Sequence, residues 1–344
     1  MKRLFQAVVT VAYAAYASRL PVEDASGTER DSTRRMASLS ESLARYVAYI
    51  ALIALIVVFG ILAPHRFLTW INLGTVLQNS AVLAIVSIGI TFVIIAGCID
   101  LSVGSIMAFA GAVAATFGGA WGAYAILAAP VVGCALGMMN GAIFVFGRIP
   151  SFIATLGMLS IARGATVMYT GGTPISIPLT SSFDIFGIPP IPFWIAAAVA
   201  IVMEALLSLT TFGRYVFAIG GDEEKTGILG VPVAKVKFAM FALSGALAGL
   251  GGGVLTSQLG SGSPTSGMGF ELLAISAVVI GGTPLTGGAG SILGTVVGSL
   301  VIMTLANGLI IMGVSSNVQT VLTGIVLIGA VMISIRRGKI KIIK

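Results

Sequence analysis

From residue 46 onward the chain alternates long apolar runs with short polar breaks. The runs are 46–63, 74–96, 101–118, 122–146, 151–169, 192–211, 237–257, 269–281, 290–312 and 317–335. A helix needs about 20 mostly apolar residues to cross the hydrocarbon core of a bilayer. Backbone in lipid must satisfy its own hydrogen bonds, so such runs are expected to be helices. Charged residues make up only 9% of the chain and hydrophobic residues 57%. A soluble domain carries about 25% charged residues, and this chain has too little polar surface to cover a globule. The expected fold is all-α: a polytopic membrane protein with about ten transmembrane helices. The eighth run is short and carries Glu271 near its start. It is expected to be tilted or broken, which is tolerated only where protein or water surrounds it.

Positive charge orients the spans. With both termini cytoplasmic, seventeen of the nineteen Lys and Arg residues fall on the cytoplasmic side. They sit in segment 1–45, at Arg148, in the 213–237 loop (Arg214, Lys225, Lys235, Lys237) and in the C-terminal stretch. Arg66 falls outside and Arg163 within the fifth span. The net charge of +7 is thereby assigned to anionic lipid, and no nucleic acid partner is needed. Three segments follow: a cytoplasmic N-terminal extension (1–45), a transmembrane domain (46–337) and a basic cytoplasmic tail (338–344). The first twenty residues imitate a signal peptide. Cleavage there would place the arginine-rich 21–45 segment outside, so the extension is the preferred reading.

Composition also removes chemistry. His65 is the single histidine, and Cys98 and Cys134 lack metal-ligand spacing; neither a metal site nor a cofactor is expected. No phosphate-binding loop of the G-x-x-x-x-G-K-[ST] type occurs, so the chain does not bind ATP through such a loop of its own. No catalytic set is visible, and the chain is not expected to be an enzyme.

Glycines recur every four residues at Gly133, Gly137 and Gly141, at Gly245, Gly249 and Gly253, and at Gly290, Gly294 and Gly298. That spacing gathers small residues on one helix face, where backbones can approach closely. Charges inside a span are costly and point to function. Asp100 reads as an N-cap of the third span, a translocation group, or both. Arg163 reads as the partner of a carboxylate or as a snorkelling side chain. Glu204 lies well inside the sixth span. Glu271 reads as a helix cap or a cavity-lining group. Asn79 and Asn307 sit near membrane depth, where amides can bind a polyol or tie helices together.

The longest internal polar segment is 213–237, GRYVFAIGGDEEKTGILGVPVAKVK. Residues 222–229 predict two helical turns, with Asp222 as N-cap and Glu223 and Glu224 in the first turn. Gly230 and Pro232 then stop the helix. A short, stiff helix of this kind reads as a lever for a partner or as a solvated linker.

This segment resembles the cytoplasmic coupling loop of ribose-type sugar permeases, the membrane subunits of bacterial ABC importers. Other stretches resemble the family in the same order. They are residues 99–104 (IDLSVG), 150–157 (PSFIATLG), Arg163-Gly164, Thr170-Gly171-Gly172, residues 281–288 (GGTPLTGG), Asn307-Gly308-Leu309, residues 313–316 (GVSS) and Gln319. The resemblance covers about residues 64–337. It implies a type II importer-like permease in the bacterial inner membrane, paired with a second permease copy or a related permease. It also implies a cytoplasmic ATP-binding subunit that carries the ATP, and a periplasmic sugar-binding protein. The expected translocation-pathway residues are Asn79, Asp100, Ser102, Phe152, Asn307 and Glu271. The expected ATPase-coupling residues are Gly221, Asp222, Glu223, Glu224, Lys225 and Gly230. Asp222 stands where the family has Asn, Leu229 where it has Ser, and Cys98 where it often has Gly. Another small solute, such as a branched-chain amino acid or nucleoside, stays open, as does a stand-alone secondary transporter.

Overall fold

The computed structural model describes residues 47–335. The expected extension 1–45 and tail 338–344 lie outside the described residues. The chain is helical almost throughout: α1 (Val47–Leu62), α2 (Pro64–Phe67), α3 (Trp70–Ile95), α4 (Val103–Trp121), α5 (Ala128–Gly147), α6 (Ser151–Thr170), α7 (Ile191–Leu209), α8 (Thr211–Gly221), α9 (Glu223–Ile228), α10 (Val233–Leu259), α11 (Phe270–Ile280), α12 (Ile292–Ile311) and α13 (Ser316–Ile335). A 3₁₀ turn (Gly122–Leu127) leads into α5, and another spans Ser182–Gly187. Two short strands, β1 (Ile175–Ser176) and β2 (Ser261–Gly262), pair antiparallel. Among the described residues, six segments are long and apolar enough to cross a membrane. They are α3, the run from Val103 to Gly147, α6, α7, α10 and α12.

Helix α3 is the core. Every residue from 80 to 95 is buried, as expected of a helix that is apolar all round and enclosed by others. It starts four residues ahead of the apolar run because the Thr69 hydroxyl accepts from the Asn72 N–H at 3.2 Å and caps it. Helices α7, α10, α11 and α12 surround it. Helix α11 has only 11 residues, about 16 Å at 1.5 Å per residue. It is far shorter than the hydrocarbon core, in line with the expected short eighth element.

Two of the glycine stripes meet each other. A Cβ on Gly133 would fall on the Gly245 carbonyl, one on Gly137 on the Phe241 carbonyl, and one on Gly249 on the Ala129 carbonyl. α5 and α10 therefore touch backbone to backbone, the most extensive helix contact among the described residues. The third stripe seats α12 on α11. Gly294 faces the Gly281 carbonyl and Gly298 faces the Ala277 carbonyl.

The 213–237 segment departs from expectation at its start. Residues 211–221 form α8 rather than a polar loop. The Thr210 hydroxyl accepts from the Gly213 N–H at 3.3 Å, and Val216 and Ile219 bury one face. The sequence pattern hides this helix because it is short and begins directly where α7 ends.

Candidate functional site

The capped helix α9 is built from its own sequence. The Asp222 backbone is extended, and its Oδ1 accepts the Lys225 N–H at 3.1 Å. That satisfies one of the free donors of the first turn. The other carboxylate oxygen lies 2.8 Å from Lys225 Nζ, and this hydrogen bond and charge hold the lysine above its ordinary pKa. Gly230 ends the helix at φ +85°. Its N–H donates to the Gly227 carbonyl at 3.0 Å, and the Val231 N–H to the Thr226 carbonyl at 3.3 Å. This paired closure requires a left-handed residue and so favours glycine. Thr226 is buried, and its hydroxyl donates to the Ala218 carbonyl at 2.9 Å and the Asp222 carbonyl at 2.6 Å.

The outer face of α9 is apolar as well as charged. Ile228 is 79% exposed and Leu229 83%, and Gly221 and Glu224 are exposed beside them. Glu223, also exposed, reaches across to α10, with Oε2 2.6 Å from Lys237 Nζ. Lys237 lies one turn into α10 and is only 8% exposed. Its Nζ sits 4.7 Å from the centre of the Phe144 ring. It is therefore not the loop cation that the charge count implied. Its four-carbon stem buries against α5 while the charge finds a carboxylate.

The break between α3 and α4, residues 97–102, is the second part of the site. Gly97 takes φ +75° to turn the chain. The Ile99 N–H donates to Ser151 Oγ at 3.2 Å, and Thr155 Oγ1 donates to the Ile99 carbonyl at 3.4 Å. α6 thus holds the break from one side. Asp100 is fully buried. Its Oδ1 accepts from the Ser102 N–H at 2.9 Å and the Ser102 hydroxyl at 2.6 Å. Its Oδ2 accepts from Ser244 Oγ on α10 at 2.9 Å. Ser102 Oγ in turn accepts from Asn140 Nδ2 on α5 at 2.7 Å. The helix proper starts at Val103, so Asp100 serves the chain entering α4, two residues ahead of the position expected of a cap.

Helix α8 meets this break directly. A Cβ on Gly220 would fall on the Ile95 carbonyl and within 2.5 Å of the Gly288 N. The Gly288 N–H donates to the same Ile95 carbonyl at 2.8 Å. The last turn of α3, the end of α8 and the glycine-rich 281–288 loop share one junction.

The expected pathway residues do not form a single cluster. Asp100 and Ser102 lie together, buried. Phe152 is half exposed on the first turn of α6, next to the Ser151 that holds the break. Glu271 occupies the first turn of α11, where a helix N-terminus favours an acid, and it packs against Gly104. Asn79 is exposed on α3, and Asn307 is half-buried on α12. Arg163, read as a carboxylate partner or a snorkelling side chain, forms no ion pair within 4 Å among the described residues. Its Nη1 donates to the Pro264 and Ser266 carbonyls at 2.7 and 2.8 Å. The turns of that loop engage the carbonyls of Ser263, Thr265 and Gly267, which leaves the alternate ones for the guanidinium. Glu204 borders a groove of about 330 Å³ with Ala200, Ile201, Ser208 and Leu293.

A family model described as branched-chain amino acid transport system / permease component matches residues 72–331. The ribose import permease protein RbsC of Escherichia coli K12 is 42% identical over 294 residues, 83% of this chain and 91% of that protein. RbsC of Bacillus subtilis 168 is 40% identical over 298 residues, 84% of this chain and 92% of that protein. The D-allose transport system permease protein AlsC of E. coli K12 is 36% identical over 296 residues, 83% of this chain and 90% of that protein. No solved structure gives a significant match.

Proposed function

The chain belongs to the family of branched-chain amino acid transport system permease components, and from that premise we propose that it is the membrane permease of an ATP-driven sugar importer. Its relatives are named as ribose and allose permeases, which favours a monosaccharide of the ribose type as cargo. It is a multi-pass protein of the bacterial inner membrane and a transport component rather than a catalytic enzyme.

Ten spans with both ends in the cytoplasm agree best with the placement of Lys and Arg. In that orientation α9 faces the cytoplasm. The observation that carries the reading is this helix, capped at both ends yet presenting Ile228 and Leu229 to solvent. Large apolar side chains on a stiff projection mark a docking surface. A separate ATP-binding subunit docks there, a second permease completes the pathway, and a periplasmic binding protein delivers the sugar. Closure of the ATPase favours one of two access states because it interacts differently with each. Gly221, Asp222, Glu223, Glu224, Lys225 and Gly230 shape the docking element. Asn79, Phe152, Asn307 and Glu271 are the pathway candidates that keep exposed or half-buried surface. Asp100 and Ser102, wholly buried, act on the pathway through the helix they anchor.

The test is purification of the chain from its native membrane in mild detergent, with identification of what accompanies it. Recovery of an ATPase and a binding protein is expected, and titration of that binding protein with pentoses and hexoses names the cargo. Recovery of the chain alone from several detergents, with uptake that needs no ATP, overturns the reading in favour of a secondary transporter.

A further inference from the structure

Helix α9 has only six residues, too few to hold a shape or direction alone. Thr226 ties it to α8 through the Ala218 carbonyl. Its charged tie to α10 is the Glu223–Lys237 ion pair at 2.6 Å. The lysine end of that pair is fixed, because its side chain is almost wholly enclosed and its ammonium lies over the Phe144 ring. Phe144 is itself set edge-on against Phe241, with ring centres 5.5 Å apart. Phe241 lies one helical turn beyond Lys237.

One further turn along the same stripe of α10 is Ser244. Residues at i and i+7 share a helix face, so Lys237 and Ser244 ride together. Ser244 donates to Asp100 in the break that opens α4. α10 is seated backbone to backbone on α5 at Phe241, between these two contacts, and at Gly245, one residue beyond Ser244. A close-packed helix moves as a unit rather than bending locally. A displacement of α9 that is carried by Glu223 to Lys237 therefore arrives at Asp100.

We propose that Lys237 is a positioning residue that joins the docking helix α9 to the buried Asp100 break through α10, so that movement of the ATPase is converted into movement of the pathway helices. This rests on the reading of the chain as an ATP-driven permease. Lys237 acts through Glu223 and α10 rather than on the sugar or on ATP. Its contribution is the coupling between hydrolysis and transport.

The complete importer, reconstituted in proteoliposomes with its ATPase and binding protein, provides the test. Lys237→Met keeps an unbranched stem against Phe144 and removes the charge, and Lys237→Arg restores a cation. Three quantities are read: affinity of the ATPase for the permease, rate of ATP hydrolysis, and ATP consumed per sugar imported. For Lys237→Met, docking affinity stays within about twofold, while the ATP consumed per sugar rises about tenfold, the equivalent of one lost charged contact. Lys237→Arg returns the ratio to near the wild-type value. An unchanged ratio in Lys237→Met overturns the proposal, as does a parallel fall of hydrolysis and uptake, which marks a purely structural role. Should Lys237→Met fail to fold, Glu223→Gln breaks the same pair from the exposed side, and the same ratio decides. A wild-type complex without ATP-dependent uptake refutes the importer reading itself, an outcome separate from any variant.

Discussion

Gly133 and Gly245 approach so closely that a Cβ on either residue would fall on the other's carbonyl oxygen. The same contact seats α10 on α5 one residue beyond Ser244. Gly245→Val is therefore expected to push α5 and α10 apart, at a cost of about 1–3 kcal/mol or more for overpacking. Gly157→Ala on α6 is the control, because its added methyl meets nothing within 4 Å. Thermal unfolding in detergent checks the pair. Equal midpoints for the two variants would show that the glycine stripe is not a close-packing seam.

Arg163 holds the 263–267 loop by two backbone carbonyls on alternate residues. Replacing it by Met leaves both acceptors without the guanidinium, at about 1–3 kcal/mol for an unsatisfied buried group and less where water reaches the loop. Limited proteolysis should then cut this loop faster, and Lys at the same position should protect it only in part, since an ammonium lacks the planar fork. Identical cleavage rates for Met and wild type would mean that the loop is held by its own turns.

The six long apolar segments are legible in the sequence because apolar runs of about 20 residues admit little else. The cap at Asp222 and the stop at Gly230 are legible too, since both act through neighbours in the chain. Helix α8 is not, because its polar face reads as loop and its apolar face is short. Lys237 is misread for a different reason. A lysine near the start of a span looks like a loop cation until a carboxylate from fourteen residues earlier is folded onto it. Ser244 gives no signal of its own. A serine in an apolar helix becomes meaningful only when a buried carboxylate stands opposite. Local rules reach the caps, while the buried pairs require the tertiary structure.

Asp222 serves helix α9 twice, as N-cap and as partner of Lys225. Asp222→Asn, the residue usual in the family it resembles, keeps an oxygen for the cap. Asp222→Ala removes it, at about 1 kcal/mol. A spin label on a cysteine replacing Gly227 should therefore stay ordered in the Asn variant and loosen in the Ala variant. The pH dependence follows from the raised pKa of Lys225. A group whose folded pKa lies above its unfolded value stabilises fully below the unfolded value, about 10.4 for lysine. The stabilisation is lost as pH rises through the folded value. Label mobility should thus be constant from neutral pH to about 9 and rise only above the ordinary lysine range. A transition near neutral pH would assign the order of α9 to some other group.

Glu223 and Glu224 are adjacent in sequence but do different work. Glu223 faces Lys237, so Glu223→Lys sets two cations together and disturbs α9 itself. It is a poor probe of docking. Glu224 is exposed, and Glu224→Lys changes only the face offered to a partner. The same holds for Leu229, whose replacement by Ser removes apolar surface without touching the Gly230 turn. Central apolar anchors of an interface are worth about 2 kcal/mol or more when truncated. Leu229→Ser should therefore weaken ATPase binding at least about tenfold. Glu224→Lys should act chiefly through the association rate and fade at high salt, as a rim charge does. Binding of the purified ATPase to the permease in nanodiscs, followed by surface plasmon resonance at two salt concentrations, separates the two effects. Wild-type kinetics in both variants would move the docking surface away from α9.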